Sequence, residues 1–290
     1  MSLREGFSTL FKKPQPIVKP TEEVYAAGVI SPRMSRLVLL AIGVMLVLGV
    51  AALLAQGLFP ILATLTYSLI PVVLLLGWAM KTDRYEPEPK SLVIMVAGIG
   101  GFLAAVFTYL PFPTGLAAYL VKIGLLEVVF FLVLYGLDAN RVTGREFNDH
   151  LDGAVYGLAL GAGYIAFSNF LIAQSGAYVT PLAATLFTLE NFFTMVFPGL
   201  TGWWIGYVKA KYVSISFASL FTGFVPVLLL RLVYEGLLIG FAGLSIPVRV
   251  AAVTLAGLFF LALLVRRIFW ALEDEKIWGY ASGLAPVEKR

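Results

Sequence analysis

Five ionisable side chains lie within apolar stretches that are long enough to cross a bilayer. They are Lys122, Glu127, Glu190, Arg231 and Glu235. A charged side chain at the centre of a bilayer costs about 2.5–3.5 kcal/mol on the mildest insertion scale, and such residues usually have a function or an ionic partner. Carboxylates and cations at this depth can form ion pairs, relay protons or bind a metal ion. These five residues are therefore the candidates for an intramembrane polar network.

The spacing of these residues predicts which of them can pair within one helix. Arg231 and Glu235 are four residues apart, so their side chains share a helical face and can form an ion pair. Lys122 and Glu127 are five residues apart, which turns their side chains about 140° from each other, and we expect Lys122 to extend toward the membrane surface. Glu127 and Glu190 each need a partner from another helix. A network of these groups either holds helices together or forms a functional site.

The chain contains no cysteine and one histidine, which limits the catalytic sites that it can build. Zinc catalysis requires about three protein ligands, usually including imidazole, and His150 lies outside the apolar stretches in a sequence typical of a solvated cytoplasmic loop. Glutamates without a nitrogen ligand would suit manganese or calcium better than zinc. Ser168 has no histidine or lysine beside it to act as its base. The residues predict no catalytic set, no metal ligands and no cofactor.

The composition is that of an integral membrane protein. Hydrophobic residues make up 60% of the 290-residue chain and charged residues 13%, whereas soluble domains carry about 25% charged residues. Because a helical span needs about 20 mostly apolar residues, the sequence predicts an all-α, polytopic membrane helix bundle of about eight transmembrane helices. The predicted spans are 37–57, 58–80, 91–111, 117–137, 154–173, 182–206, 215–240 and 246–267.

The distribution of lysine and arginine predicts the orientation of the chain. Six of these residues lie in the first 36 positions, whereas the connections 111–116 and 174–181 contain none. Positive charge marks cytoplasmic segments, so we expect both termini in the cytoplasm and the protein in the plasma membrane. The chain divides into a basic cytoplasmic tail over 1–36, an eight-span domain over 37–267 and a cytoplasmic interfacial tail over 268–290.

The first tail has the pattern of an interfacial helix. Leu3, Phe7, Leu10 and Phe11 lie on one helical face and two lysines follow, as in helices that lie on anionic leaflets; a mobile tail interrupted by prolines is the alternative. No basic stripe carries interleaved aromatic residues, so the expected partners are membrane lipid and other integral membrane proteins, with no nucleic acid. Asparagine and glutamine are scarce, which is typical of a thermophile protein or of lipid-facing sequence in general.

Glycines at helical spacing predict close helix packing. Gly157 and Gly161 are four residues apart, Gly153 extends this string by one turn, and Gly98 and Gly101 form a second, shorter string. Small residues let helix backbones approach closely. We interpret both strings as packing devices.

Three features of the sequence resemble the PrsW family of intramembrane metalloproteases. An acidic-proline turn contains Glu86 and Glu88, a helix entry contains Asp152 and Gly153, and spans four to seven keep the family's order and spacing. The resemblance covers roughly residues 80–240. It implies a polytopic helical fold with a metal-dependent proteolytic site inside the membrane. The two matching segments are Asp83–Lys90 and Glu146–Tyr164.

The residues that carry the family's chemistry are mostly absent. The family's E-E-x-x-K motif matches at Glu127 alone, and its F-x-x-x-E-N motif begins here with Tyr164 and ends in Ser168–Asn169. The family's H-x-x-x-D motif falls on Arg231 and Glu235. Arginine is always protonated and has no acceptor atom, so it cannot ligate a metal. The resemblance therefore implies a degenerate member in which an ion pair replaces a metal-binding pair.

Three functions follow from these observations. We favour a catalytically inactive PrsW-like membrane protein, a pseudoprotease that acts as a scaffold or accessory subunit of a membrane protein complex. One alternative is an active intramembrane metalloprotease of the PrsW type, with an unusual site at Glu127, Glu190 and Glu235. A second alternative is a small-molecule or ion transporter that uses the buried charges, although the two halves show no matched pair of broken helices.

Overall fold

A computed structural model describes residues 3–12, 60–82, 88–140, 143–147, 149–174, 180–211 and 216–281 of the chain. Within those ranges every regular element is helical, as the sequence predicts. The helices are α1 (Leu3–Phe11), α2 (Pro60–Thr82), α3 (Lys90–Tyr109), α4 (Leu116–Ala139), α5 (Thr143–Glu146), α6 (His150–Gln174), α7 (Pro181–Phe192), α8 (Val196–Lys211), α9 (Phe217–Phe241) and α10 (Ile246–Ala281).

Five of the described helices are long and apolar enough to cross a membrane. The candidate spans are Lys90–Tyr109 in α3, Leu116–Ala139 in α4, His150–Leu171 in α6, Phe217–Phe241 in α9 and Ile246–Asp274 in α10. In α2, the stretch Val72–Thr82 is also apolar. The predicted span 37–57 lies outside the described residues. A total of eight spans, the cytoplasmic termini and the plasma membrane stay predictions.

The predicted sixth span, 182–206, is divided between two helices. α7 ends at Phe192, and one 3₁₀ turn over Phe193–Met195 leads into α8. At about 1.5 Å per residue, neither helix alone crosses a hydrocarbon core of about 30 Å. The two therefore reach across the bundle only as a pair.

α6 lies at the centre of the bundle and packs against α8, α3 and α2. Its first thirteen residues, 150–162, are all buried. A Cβ atom on Gly153 would overlap the carbonyl oxygen of Gly202, and one on Gly157 would overlap the carbonyl oxygen of Pro198. The two backbones are thus in direct contact, and the packing role predicted for this glycine string is confirmed.

On α3 the close approach occurs at a glycine outside the predicted string. A Cβ atom on Gly100 would overlap the Leu160 carbonyl oxygen of α6, whereas Gly98 has open space around it and Gly101 makes only ordinary contacts. The packing role predicted for Gly98 was wrong. Residues two positions apart differ by about 200° around a helix, so Gly98 faces away from α6 when Gly100 faces it.

The start of α6 is stabilised by a reciprocal capping interaction. The Asp149 carboxylate accepts hydrogen bonds from the backbone N–H groups of Leu151 (2.6 Å) and Asp152 (3.0 Å). In return, the Asp152 carboxylate accepts from the Asp149 N–H at 3.1 Å. Two otherwise unpaired N–H groups of the first turn are satisfied in this way. Asp152, one of the residues that carries the PrsW resemblance, therefore has a structural role here.

α1 lies against the bundle by one face. Gly6 and Leu10 are buried, and a Cβ atom on Gly6 would overlap the Thr222 carbonyl oxygen of α9. Leu3, Phe7 and Phe11 are exposed. The predicted apolar face is therefore split, with Leu10 packed against protein and the other three residues on the outer surface.

Candidate functional site

The central feature of the site is an ion pair within one turn of α9. Arg231 Nη2 lies 2.7 Å from Glu235 Oε1, and both side chains are buried. Their four-residue spacing predicts this contact, because residues i and i+4 meet on one helical face. The guanidinium also lies over the rings of Phe197 (5.4 Å) and Tyr234 (5.9 Å), which cover its faces.

A second carboxylate reaches the same guanidinium from α4. Glu127 Oε1 lies 3.2 Å from Arg231 Nε, and the Glu127 side chain is 1% exposed. Glu127 and Glu235 thus contact Arg231 from two helices, so the guanidinium joins α4 to α9. Such a contact is specific because leaving either charge unpaired in the interior is costly.

A tyrosine completes what we term the ion cluster: Tyr119, Glu127, Arg231 and Glu235. The Tyr119 hydroxyl donates a 2.5 Å hydrogen bond to Glu235 Oε2. Both oxygens of Glu235 are therefore partnered. By contrast, Glu127 Oε2 and Arg231 Nη1 are buried and have no hydrogen-bond partner among the described residues.

Glu190 and Lys122 lie outside the ion cluster. Glu190 pairs with Arg249 of α10, which places Nε at 2.9 Å and Nη2 at 2.6 Å from Glu190 Oε1. The Tyr234 hydroxyl donates to the Glu190 backbone carbonyl at 3.0 Å. The Lys122 ammonium lies 5.3 Å from the centroid of the Phe112 ring. The five buried charges predicted from the sequence thus form two separate ionic groups and one isolated lysine.

The other residues of the PrsW resemblance are dispersed. Asn169 accepts a 2.6 Å hydrogen bond from the Asn191 side chain, which joins α6 to α7. Tyr164 packs edge-on against Phe130 at 5.4 Å. Ser168 is half-buried. Of the two acidic residues of the proline turn, Glu88 is buried just before α3, and Glu86 falls outside the described residues.

His150 is buried, and its interpretation as a solvated loop histidine was wrong. It is the first residue of α6 and is 1% exposed. Its Nε2 lies 3.4 Å from Asp274 Oδ2, and its ring packs edge-on against Trp203 at 6.0 Å and Tyr207 at 6.2 Å. The physical reason is the length of α10, which continues beyond the predicted span and covers the start of α6.

Sequence reasoning also missed a buried arginine near this histidine. Arg267 is fully buried, and its guanidinium lies between the rings of Trp270 (4.1 Å) and Trp203 (4.9 Å). Its Nη1 donates to the Lys12 carbonyl at 3.2 Å, at the end of α1. A cation at the carbonyl end of a helix is favourable. The available signal was Trp270, three residues further along the chain, but the prediction placed Arg267 at the end of the span 246–267.

An apolar groove of about 480 Å³ opens between the N-terminal part of α4 and the C-terminal part of α9. On each helix, the residues that line it are sequence neighbours of Tyr119 or Glu235, the two residues of the hydrogen bond between α4 and α9. Gly236 is part of this lining, and a Cβ atom added to it would have no described atom within 4 Å. The lining residues are Leu116, Leu120, Val121, Leu232, Gly236 and Ile239.

The residues of the ion cluster do not suit a catalytic metal ion. Throughout the described part of the chain, no three side chains of histidine, cysteine, aspartate or glutamate are grouped closely enough to hold one. The two nearest carboxylates, Glu127 and Glu235, are both in contact with the guanidinium of Arg231. The donor set implied by the PrsW resemblance is therefore replaced by a cation.

Comparison with known proteins identifies no relative: no protein-family profile, no curated protein and no solved structure matches the chain.

Proposed function

We propose that the chain is a catalytically inactive, PrsW-like integral membrane protein that acts as a scaffold or accessory subunit of a membrane protein complex. One observation carries this proposal: the Arg231 guanidinium contacts both carboxylates that could take part in a metal site, Glu127 at 3.2 Å and Glu235 at 2.7 Å. A positively charged side chain thus contacts the two carboxylates that a metal ion would bind in a protease.

Electrostatics supports an inactive site. Two unit charges 4 Å apart interact by about 4 kcal/mol at an effective dielectric constant of about 20, and a divalent ion doubles that energy. A zinc ion coordinated by Glu127 and Glu235 would lie next to Arg231 and be repelled by it. The arginine cannot leave the site as a neutral group, because guanidinium stays protonated in proteins.

The contacts that the ion cluster makes between α4 and α9 support a structural role. Arg231 of α9 forms an ionic contact with Glu127 of α4, and Tyr119 of α4 donates a hydrogen bond to Glu235 of α9, so two polar contacts join these helices. Buried polar groups of this kind hold membrane helices in a defined arrangement. A scaffold needs such an arrangement and needs no reactive group.

The first experiment purifies the tagged full chain from its native membranes in mild detergent and measures what accompanies it. We expect another integral membrane protein at fixed stoichiometry with the wild type and with Glu127→Gln, which removes a carboxylate without removing side-chain volume. Arg231→Met breaks the contact between α4 and α9 and is expected to lose the partner. A chain that purifies alone as a stable monomer would contradict the scaffold proposal.

The second experiment tests for a remaining protease activity. The purified protein is loaded with zinc, washed and analysed for metal content, and its cleavage of membrane-spanning peptides is followed with and without chelator. We expect less than stoichiometric zinc and no chelator-sensitive cleavage. Stoichiometric zinc together with cleavage that disappears in Glu127→Gln would establish the protease instead.

A further inference from the structure

The ion cluster contains two carboxyl groups but only one cationic group. Glu127 and Glu235 are carboxylates and Arg231 is the cation between them, with all three side chains 4% exposed or less. The hydroxyls of Tyr119, Tyr164 and Tyr234 also act electrostatically on these groups and are neutral, and Glu190, which acts on Glu235, is balanced by its own partner Arg249. If both glutamates were ionised, the cluster would carry a net charge of −1 inside the membrane.

A carboxylate that has no counter-charge in a low-dielectric interior becomes neutral by binding a proton. A bound metal cation would need several oxygen ligands, and the cluster leaves a single carboxylate oxygen without a hydrogen-bond partner. A proton needs only that one oxygen. The missing positive charge is therefore best supplied by a proton.

The hydrogen bonds identify which glutamate takes the proton. Glu235 Oε1 lies 2.7 Å from Arg231 Nη2, and Glu235 Oε2 accepts the hydrogen bond of Tyr119. Both oxygens thus act as acceptors, which suits an ionised carboxylate. Glu127 contacts Arg231 through Oε1 alone, while its buried Oε2 has no partner.

We propose that the ion cluster is a proton-binding site in which Glu127 carries the proton on Oε2 at neutral pH. The protonated Glu127, the ionised Glu235 and the cationic Arg231 together form a neutral group that joins α4 to α9. The bound proton is thus part of the helix contact, and its O–H is a hydrogen-bond donor that no side chain of the cluster uses.

The pair of Glu190 and Arg249 is the internal control for this inference. It contains one carboxylate and one guanidinium, with two short contacts to the same oxygen. The charges balance without a proton, and the side chains are more exposed, at 11% for Glu190 and 23% for Arg249. We therefore expect Glu190 to be ionised under the conditions in which Glu127 is protonated.

Infrared spectroscopy of the full chain in lipid bilayers at neutral pH tests the proposal, because a protonated carboxyl group has a carbonyl stretching band that a carboxylate lacks. We expect this band in the wild type, its loss in Glu127→Gln and its retention in Glu190→Gln. A wild-type spectrum without the band, or a band that survives Glu127→Gln and disappears in Glu235→Gln, would overturn the proposal.

Stability provides a second readout that does not depend on the spectrum. Glutamine has the shape and the neutrality of a protonated glutamate, so Glu127→Gln should fold with an unchanged denaturation midpoint. Glu235→Gln replaces the carboxylate whose two oxygens accept from Arg231 and Tyr119 and should lower the midpoint. A Glu127→Gln protein that is destabilised as strongly as Glu235→Gln, or that does not fold, would contradict a protonated Glu127. Both readouts are independent of whether a partner protein or a protease activity is found.

Discussion

The α6–α8 and α4–α9 interfaces join neighbouring membrane helices in opposite ways. Between α6 and α8, glycines bring the backbones into contact, as at Gly157 and Pro198, and the surrounding residues are buried and apolar. Between α4 and α9, long side chains meet through Arg231 and its carboxylates, and a groove stays open beside them. The first interface depends on shape and the second on charge, so different substitutions should disrupt each.

We expect the largest effect from removing the central charge of the α4–α9 interface. Arg231→Met keeps an unbranched side chain but removes the guanidinium, which leaves Glu127 and Glu235 without their cation. Breaking a buried ion pair from one side costs about 3–5 kcal/mol, so the free energy of unfolding should fall by that amount. Unfolding in mixed micelles measures it, and addition of Glu235→Gln to the variant should recover part of the loss. A variant as stable as the wild type would show that charge does not hold this interface.

The corresponding test of the α6–α8 interface adds the smallest possible side chain, a methyl group, to one of its glycines. The methyl group of Gly157→Ala would overlap the Pro198 carbonyl oxygen, and overpacking typically costs about 1–3 kcal/mol. We expect the upper end of that range, because backbone atoms cannot move aside as a flexible side chain can. Gly236→Ala is the matched control: a Cβ atom there meets open space, and its unfolding free energy should be unchanged. Equal effects of the two substitutions would contradict contact between the backbones.

A smaller effect is expected at the edge of the ion cluster. Tyr119→Phe removes the 2.5 Å hydrogen bond to Glu235 and keeps the ring. Hydrogen bonds to charged groups contribute about 1.5–3 kcal/mol, and we expect the lower end because Tyr119 is 42% exposed. Thermal unfolding of the purified protein measures the loss. No change would indicate that Glu235 obtains its second hydrogen bond from another donor.

The smallest effect is expected at the ion pair outside the cluster. Arg249→Met removes the partner of Glu190, but this arginine is 23% exposed. Accessible ion pairs contribute about 0–1 kcal/mol, so Arg249→Met should destabilise the protein far less than Arg231→Met, measured in the same micelles. A reversed order would mean that exposure does not distinguish the two ionic groups.

The helical fold and one contact of the ion cluster could be predicted from the sequence because both are local. Apolar length determines that a segment forms a membrane helix, and four-residue spacing places Arg231 and Glu235 on one face. The partner of Glu127 could not be predicted, since it depends on which helix lies beside α4. The same holds for Glu190, whose partner Arg249 belongs to a helix that begins 56 residues later.

Two further residues show why burial could not be predicted from the sequence. His150 follows a polar segment, yet the extended C-terminal part of α10 covers it through Asp274. Arg267 lies at the end of a predicted span, yet two tryptophan rings enclose it. Asp274, which covers His150, and Trp203, which covers one side of Arg267, are distant in sequence, so local polarity gave no indication of them.

By itself the sequence determined helical elements, helices apolar enough for a membrane, and a set of buried charges in a chain with no cysteine and a single histidine. Only the tertiary structure decided that Arg231 is shared by two carboxylates, that Glu190 pairs elsewhere and that Gly100 faces α6 instead of Gly98. The physical reason is that these helices are apolar on most sides. Lipid and the protein interior are similar solvents for such surfaces, so hydrophobicity does not specify which helix faces meet. Close backbone packing and polar side-chain contacts specify it instead.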